Sequence, residues 1–111
     1  MASEEKNESI EPNADAILKD EVKRYLDITW TDEETEKNVD DYIRSAKQYL
    51  NETTGTNINY EEDIKARDLL KDHCRYQRNK CIEFFGTNFL SDLTTLRFKY
   101  AIKDSKETEE E

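Results

Sequence analysis

Residues 31–55 read TDEETEKNVDDYIRSAKQYLNETTG, and this stretch decides the fold class. It opens Thr31-Asp-Glu-Glu34, the pattern of a capping box in which Thr31 caps the first turn and Glu34 reaches back. Asp32, Glu33 and Glu34 also suit the positive end of a helix dipole. Behind them Val39, Tyr42, Ile43, Ala46, Tyr49 and Leu50 recur at three- and four-residue intervals, which makes one apolar helix face. No proline or glycine interrupts the run before Gly55, which is placed to end it in the left-handed conformation.

The same grammar extends in both directions. Toward the N-terminus, Leu18, Val22, Tyr25 and Leu26 predict a helix from about Ala16 to Asp27, with Asp15 as its cap. Thr29-Trp30 connects the two helices, and Trp30, just before the expected cap, can staple the connection to the body. Toward the C-terminus, Thr56-Asn-Ile-Asn59 forms a turn, and Asn59 with Glu62 is a second capping-box pattern. It predicts the longest helix, running to about Phe85 and stopped by Gly86. The expected buried face is Ile64, Leu69, Leu70, Cys74, Gln77, Cys81 and Phe84 or Phe85. The opposite face carries Arg67, Lys71, Arg75 and Arg78.

Residues 87–102 read two ways. Phe89, Leu93, Leu96 and Tyr100 fit a helix, while Leu96, Phe98, Tyr100 and Ile102 alternate with Arg97 and Lys99 as a strand would. A lone strand would have no pairing partner, so the expectation is a fourth helix. The fold class is therefore all-α, a small bundle of about four helices over residues 15–103.

Charge sets the boundaries of that body. The 111-residue chain carries a net −10, of which residues 1–16 hold −4 and residues 103–111 hold −3. All eleven aromatic residues fall between Tyr25 and Tyr100. The middle can bury a modest core, whereas the acidic ends cannot recover the entropy lost on ordering. Residues 1–14 and 104–111 are thus expected to be disordered tails. No segment has the roughly 18 to 20 apolar residues of a membrane span. The start lacks the basic and apolar regions of a signal peptide, so the expected setting is cytoplasmic. Net acidity also argues against nonspecific nucleic-acid binding.

Catalytic chemistry finds no foothold in the pattern. Cys74 and Cys81, seven apart on one expected helix, would stand about 10.5 Å apart along its axis, too far for a disulfide. A metal site wants closer pairs and more ligands. His73, the only histidine, is expected at the surface or its boundary, with no nucleophile paired to it. Asp40-Asp41 and Glu61-Glu62-Asp63 lie near helix beginnings, where acids favour the dipole. Two glycines cannot build a phosphate loop, and the acids around Asp63 lack the spacing of a calcium loop. No enzyme activity, cofactor or metal is expected. Asn51-Glu-Thr53 matches a glycosylation sequon, a triplet common by chance.

What remains points to contacts with other proteins. The stripe Arg67, Lys71, Arg75 and Arg78 fits a solvated face, pairing with acids of a neighbouring helix, or an interface to an acidic partner or adjacent subunit. Tyr42, Tyr49, Tyr60, Tyr76 and Tyr100 divide between core rim and interface, since tyrosine joins an apolar body to a polar tip. The candidate interface residues are Arg67, Lys71, Arg75, Arg78, Tyr76, Arg97, Lys99 and Tyr100.

The order of elements also resembles a known family. Leu18-Lys-Asp-Glu-Val-Lys-Arg-Tyr-Leu26, then Asp27-Ile28, an acidic cap and Ala46-Lys-Gln-Tyr-Leu-Asn-Glu-Thr-Thr-Gly55 are similar to the opening of the head–tail connector (adaptor) proteins of long-tailed bacteriophages. Leu69-Leu-Lys-Asp-His-Cys-Arg-Tyr76, Asn79, Glu83-Phe-Phe and Asn88-Phe-Leu-Ser-Asp-Leu93 resemble that family's long helix and final segment. The similarity covers residues 16–102 and rests on order and spacing, with no catalytic motif in it. It implies a homo-oligomeric ring of about a dozen copies beneath the portal protein, closed by head-to-tail contacts. Such a ring extends the DNA channel and offers a platform to a head-completion (stopper) or tail protein. DNA would pass without specific binding, because acidic walls offer no partner to phosphates. The implied location is the virion, with assembly in the host cytoplasm and no membrane. The free chain would be either a ring or a monomer that assembles only on its partner. Two other readings fit an acidic helical chain: a small inhibitor that mimics DNA in a basic enzyme site, and a helical adaptor of some other system.

Overall fold

The computed structural model describes residues 13–110, with side chains through Lys103. The described residues hold five α-helices and no strand: α1 Ala14–Tyr25, α2 Glu33–Thr54, α3 Ile64–Arg78, α4 Phe85–Asn88 and α5 Leu90–Glu110. A 3-10 turn, Ile82–Phe84, precedes α4. The all-α expectation holds, with five helices in place of about four. The ambiguous 87–102 segment is helical, chiefly within α5. The expected tail at 1–14 lies outside the described residues through Pro12, while Asn13 and Ala14 cap and begin α1. Helix α5 runs past Ile102 to Glu110, and the side chains of the expected tail at 104–111 lie outside the described set. None of the helices is long and apolar enough to cross a membrane.

Side chains open the first three helices, displaced from the expected positions by two, one and four residues. Asn13 accepts from the Ala16 N–H at 2.7 Å, Asp32 from Thr35 at 2.8 Å and Asp63 from Ala66 at 3.0 Å. The expected caps were Asp15, Thr31 and Asn59. Each start has more than one cap-competent residue within a few positions, so pattern alone cannot choose among them. Asp32 prevails over Thr31 because its carboxylate accepts from both the Thr35 amide and the Thr35 hydroxyl, the latter at 3.0 Å. Asn59 instead folds its side chain over the Glu61 and Glu62 amides, at 3.0 and 3.4 Å, as an Asx turn.

The larger correction is at the end of α3, which stops at Arg78 and not near Phe85. Helices α1, α2 and α3 are each followed by a left-handed residue: Asp27 at φ 61°, Gly55 at φ 72° and Lys80 at φ 59°. After α1 the Ile28 N–H returns to the Lys23 carbonyl at 2.8 Å, and after α3 the Cys81 N–H returns to Tyr76 at 3.0 Å. These are the six-to-one bonds of Schellman closures. Only one of the three carries the glycine that marks such a stop in sequence. Gly86 lies inside α4, where an added Cβ would meet the Tyr49 hydroxyl at 3.4 Å. Cys81 therefore leaves α3, and the expected helix face shared with Cys74 does not exist.

Packing centres on α2 against α3; α1 packs on both, and α5 packs on α2 and on α4. Val22, Val39, Leu50, Leu70, Cys74, Phe85 and Leu96 are completely enclosed. Phe85, carried back by the reversal after α3, meets His73 at 4.8 Å, Tyr49 at 5.5 Å and Tyr76 at 5.6 Å edge-on, and stacks on Phe89 at 4.7 Å. Burying such a ring contributes about 2–3 kcal/mol, and favourable aromatic pairs add roughly 0.5–1.5 kcal/mol each. Of the expected α3 face, Leu69, Leu70 and Cys74 are buried, whereas Ile64 is exposed. Phe84 points outward and leaves the core to Phe85.

A non-glycine residue in the left-handed region carries strain that glycine does not. Lys80→Gly is expected to stabilise the protein by roughly 0.5–1 kcal/mol, raising the melting temperature by a few degrees. Thermal unfolding followed by circular dichroism checks this; an unchanged or lower midpoint would contradict the closure at Lys80.

Candidate interaction surface

The basic stripe of α3 turns toward α1. Lys71 and Arg67 approach the Glu21 carboxylate at 3.1 and 3.7 Å. The hydrogen bond from Lys71 is the main reason that the Glu21 carboxyl is held below its ordinary range. Arg78 donates to the Leu26 carbonyl and so covers the end of α1. Arg75 bonds Asp72 at 3.2 Å and lies between the rings of Tyr25 and Tyr76, 5.8 and 5.6 Å from their centroids. Tyr25 donates its hydroxyl to the same Asp72 oxygen. Arg67, Lys71 and Arg78 are thus engaged by α1, and Arg75 is the most accessible of the four, with 46 % of its side chain exposed. A matching set binds α1 to α2: Lys19 reaches Glu36 at 2.8 Å and Asp40 at 3.0 Å, and Lys23 joins it on Glu36.

The other candidates sit on α5 and beside it. Asp63 caps α3 and also accepts from the Tyr100 hydroxyl at 2.7 Å and from Lys99 at 2.8 Å. Burial pushes its carboxyl up, but Lys99, Tyr100 and the Ala66 amide more than offset this and hold it below the ordinary value. Tyr100 is buried, and its hydroxyl is pushed up to about 12 by burial and by the Asp63 bond. Tyr60 is buried as well, and its hydroxyl donates to Asn51 at 2.8 Å. Tyr42, Tyr49 and Tyr76 are partly buried against the core, so all five tyrosines belong to the core or its rim. Tyr76 also accepts from Asn88 at 2.9 Å. Arg97 stands apart from both groups, in the wall of a groove between α2 and α5.

His73 is the residue that the sequence reading misplaced. It is buried, between Tyr49 at 4.9 Å and Phe85 at 4.8 Å. Gln77 spans the gap between helices: its amide nitrogen donates to the Tyr42 carbonyl at 2.8 Å and lies 2.9 Å from His73 Nδ1. With both amide hydrogens directed outward, Nδ1 accepts and the neutral ring keeps its proton on Nε2. The signal was present in the spacing, since His73 follows Leu69 and Leu70 by four and three residues. Cys74 is fully enclosed and burial pushes its thiol up to about 12, which leaves it without thiolate character. Among the described residues no group of three histidine, cysteine or acidic side chains is arranged to hold a metal ion.

The sequence reading also passed over exposed apolar side chains as a class. Trp30, Phe84, Leu90 and Phe98 all have about half or more of their surface exposed. Single exposed apolar residues are ordinary. Trp30 differs in being fixed, because its Nε1–H donates to the Thr35 hydroxyl at 3.0 Å. No protein-family model matches the chain, and neither curated proteins nor solved structures yield a match.

Burial lowers the His73 imidazole from 6.5 to about 4. The unfolded chain takes up that proton near 6.5 while the folded chain resists it, so this contribution is complete above pH 6.5 and shrinks as pH falls toward 4. The expected loss is roughly 2–3 kcal/mol between pH 7 and pH 4.5. Urea unfolding at the two pH values should show a larger drop for the wild type than for His73→Gln, which cannot titrate; equal drops would contradict the buried neutral ring. Asp63→Asn, which weakens two charge-assisted bonds and a cap, is expected to cost about 1–3 kcal/mol at pH 7 in the same assay.

Proposed function

We propose that this chain is a structural assembly protein, the head–tail connector of a long-tailed bacteriophage, which forms a ring of about a dozen copies beneath the portal protein. The observation that carries the reading is the order and spacing of elements across residues 16–102, which resemble that family from the Leu18–Leu26 helix through the Asn88–Leu93 segment. In this role the chain extends the DNA channel, docks a head-completion or tail protein, and turns over no substrate. A ring closed by rotation needs two different flanks on one small body. Helix α1, packed on α2 and α3, and helix α5, packed on α2 and α4, supply two such flanks. The net −10 charge suits a channel that duplex DNA passes without adhering.

The test is to mix the protein with the purified portal ring of the same phage and examine the product by sedimentation and electron microscopy. An added ring of stoichiometric mass beneath the portal is the expected result. Absence of binding at about 50 µM, with both partners folded, would overturn the reading in favour of a helical adaptor of another system.

A further inference from the structure

A groove of about 520 Å³ opens between the C-terminal half of α2 and the start of α5, lined by Tyr49, Gly86, Leu90 and Leu93 and flanked by Glu52 and Arg97. The missing side chain at Gly86 leaves it open, with the Tyr49 hydroxyl as nearest neighbour. Leu90, which lines it, is 63 % exposed. No carboxylate among the described residues pairs with Arg97, in contrast to Lys65 and Lys99, which bond Asp92 and Asp63.

At the other end of α2 stands an apolar side chain without a pocket. Trp30 has 47 % of its surface exposed, is held by Thr35, and is followed by the exposed acids Asp32, Glu33 and Glu34. Glu33 and Tyr49 are separated by about 24 Å along the axis of α2. Trp30 therefore cannot reach the groove of its own chain.

We propose that Trp30 of one copy seats in the Tyr49–Leu90–Leu93 groove of a second copy, with the acids that follow Trp30 facing Arg97 of that copy. Shape and charge both bear on the match. An indole lies against Tyr49, Leu90 and Leu93 in a wall that also holds Glu52, Thr53 and Thr94, and the acids meet Arg97, a cation with no acid bound to it among the described residues. Indole is also the side chain that contributes most often to interface energy. Because knob and groove lie at opposite ends of α2, the contact is head-to-tail, and each copy uses one of each. The inference deepens the assembly reading and rests on it for ring geometry, but the contact itself is tested on the protein alone.

Trp30 is the only tryptophan, so its emission reads the contact directly. On concentrating the full-length protein to about 1 mM, a range in which weak contacts register, emission should shift to shorter wavelength as sedimentation shows growing assemblies. Trp30→Ala and Leu90→Glu, both at exposed positions, should each sediment as monomers with unchanged circular dichroism. An equimolar mixture of the two should recover dimers and nothing larger, because it contains one intact knob and one intact groove. Association that Trp30→Ala leaves unchanged would overturn this contact while leaving the ring reading to the portal experiment. A wild type that stays monomeric at 1 mM, or a mixture that fails to recover dimers, would overturn it as well.

Discussion

Phe85 enters the space between α2 and α3 from a backbone that has just reversed direction, and there it touches His73, Tyr49, Tyr76 and Phe89. These contacts join residues from both halves of the chain. Without them the α2–α3 pair would have an open apolar face, and α5 would be left with its packing on α2 and the polar contacts of Asp63 and Asp92. The position of the groove beside Gly86 follows from the same closure, since Gly86 is the next residue along. The capacity to present a pocket on one flank is thus set by the residue that completes the core.

Electrostatics orders the outer helices more than it stabilises them. Exposed ion pairs contribute little individually, commonly below about 1 kcal/mol. Here they form complementary sets: cations of α3 on Glu21 of α1, and cations of α1 on Glu36 and Asp40 of α2. Each set opposes a slide of α1 along its neighbours, because a shift would pull these opposite charges apart. This intramolecular use of the stripe moves attention for assembly away from Arg67, Lys71 and Arg78 and toward Arg97, Leu90 and Trp30.

Much of the fold was legible in the sequence, for identifiable reasons. The apolar spacing of residues 31–55 gave α2 nearly to its ends, and Gly55 marked its stop because glycine occupies the left-handed position there. The end of α3 was not legible, since Lys80 adopts that conformation without a composition signal and the pattern of Cys74, Gln77 and Cys81 runs on across the break. His73 was judged by its type and not by its place between Leu70 and Gln77. The candidate stripe was visible as a stripe, but sequence could not say that Glu21 would face it, because that depends on how α1 lies across α3. Trp30 was seen only as a staple. Its exposure and the groove at the far end of α2 are tertiary facts that no local pattern contains.

The central structural claim is that closure by Phe85 makes α2, α3 and α5 one cooperative body. Native-state hydrogen exchange tests it most directly, because it measures the opening free energy of each amide. The account predicts that amides of Leu50, Leu70, Cys74, Leu93 and Leu96 exchange only through global unfolding, with a common free energy. Amides of Leu93 and Leu96 that open at about 2 kcal/mol less than those of Leu70 and Cys74 would contradict it, since α5 would then come away while the α2–α3 pair stayed folded.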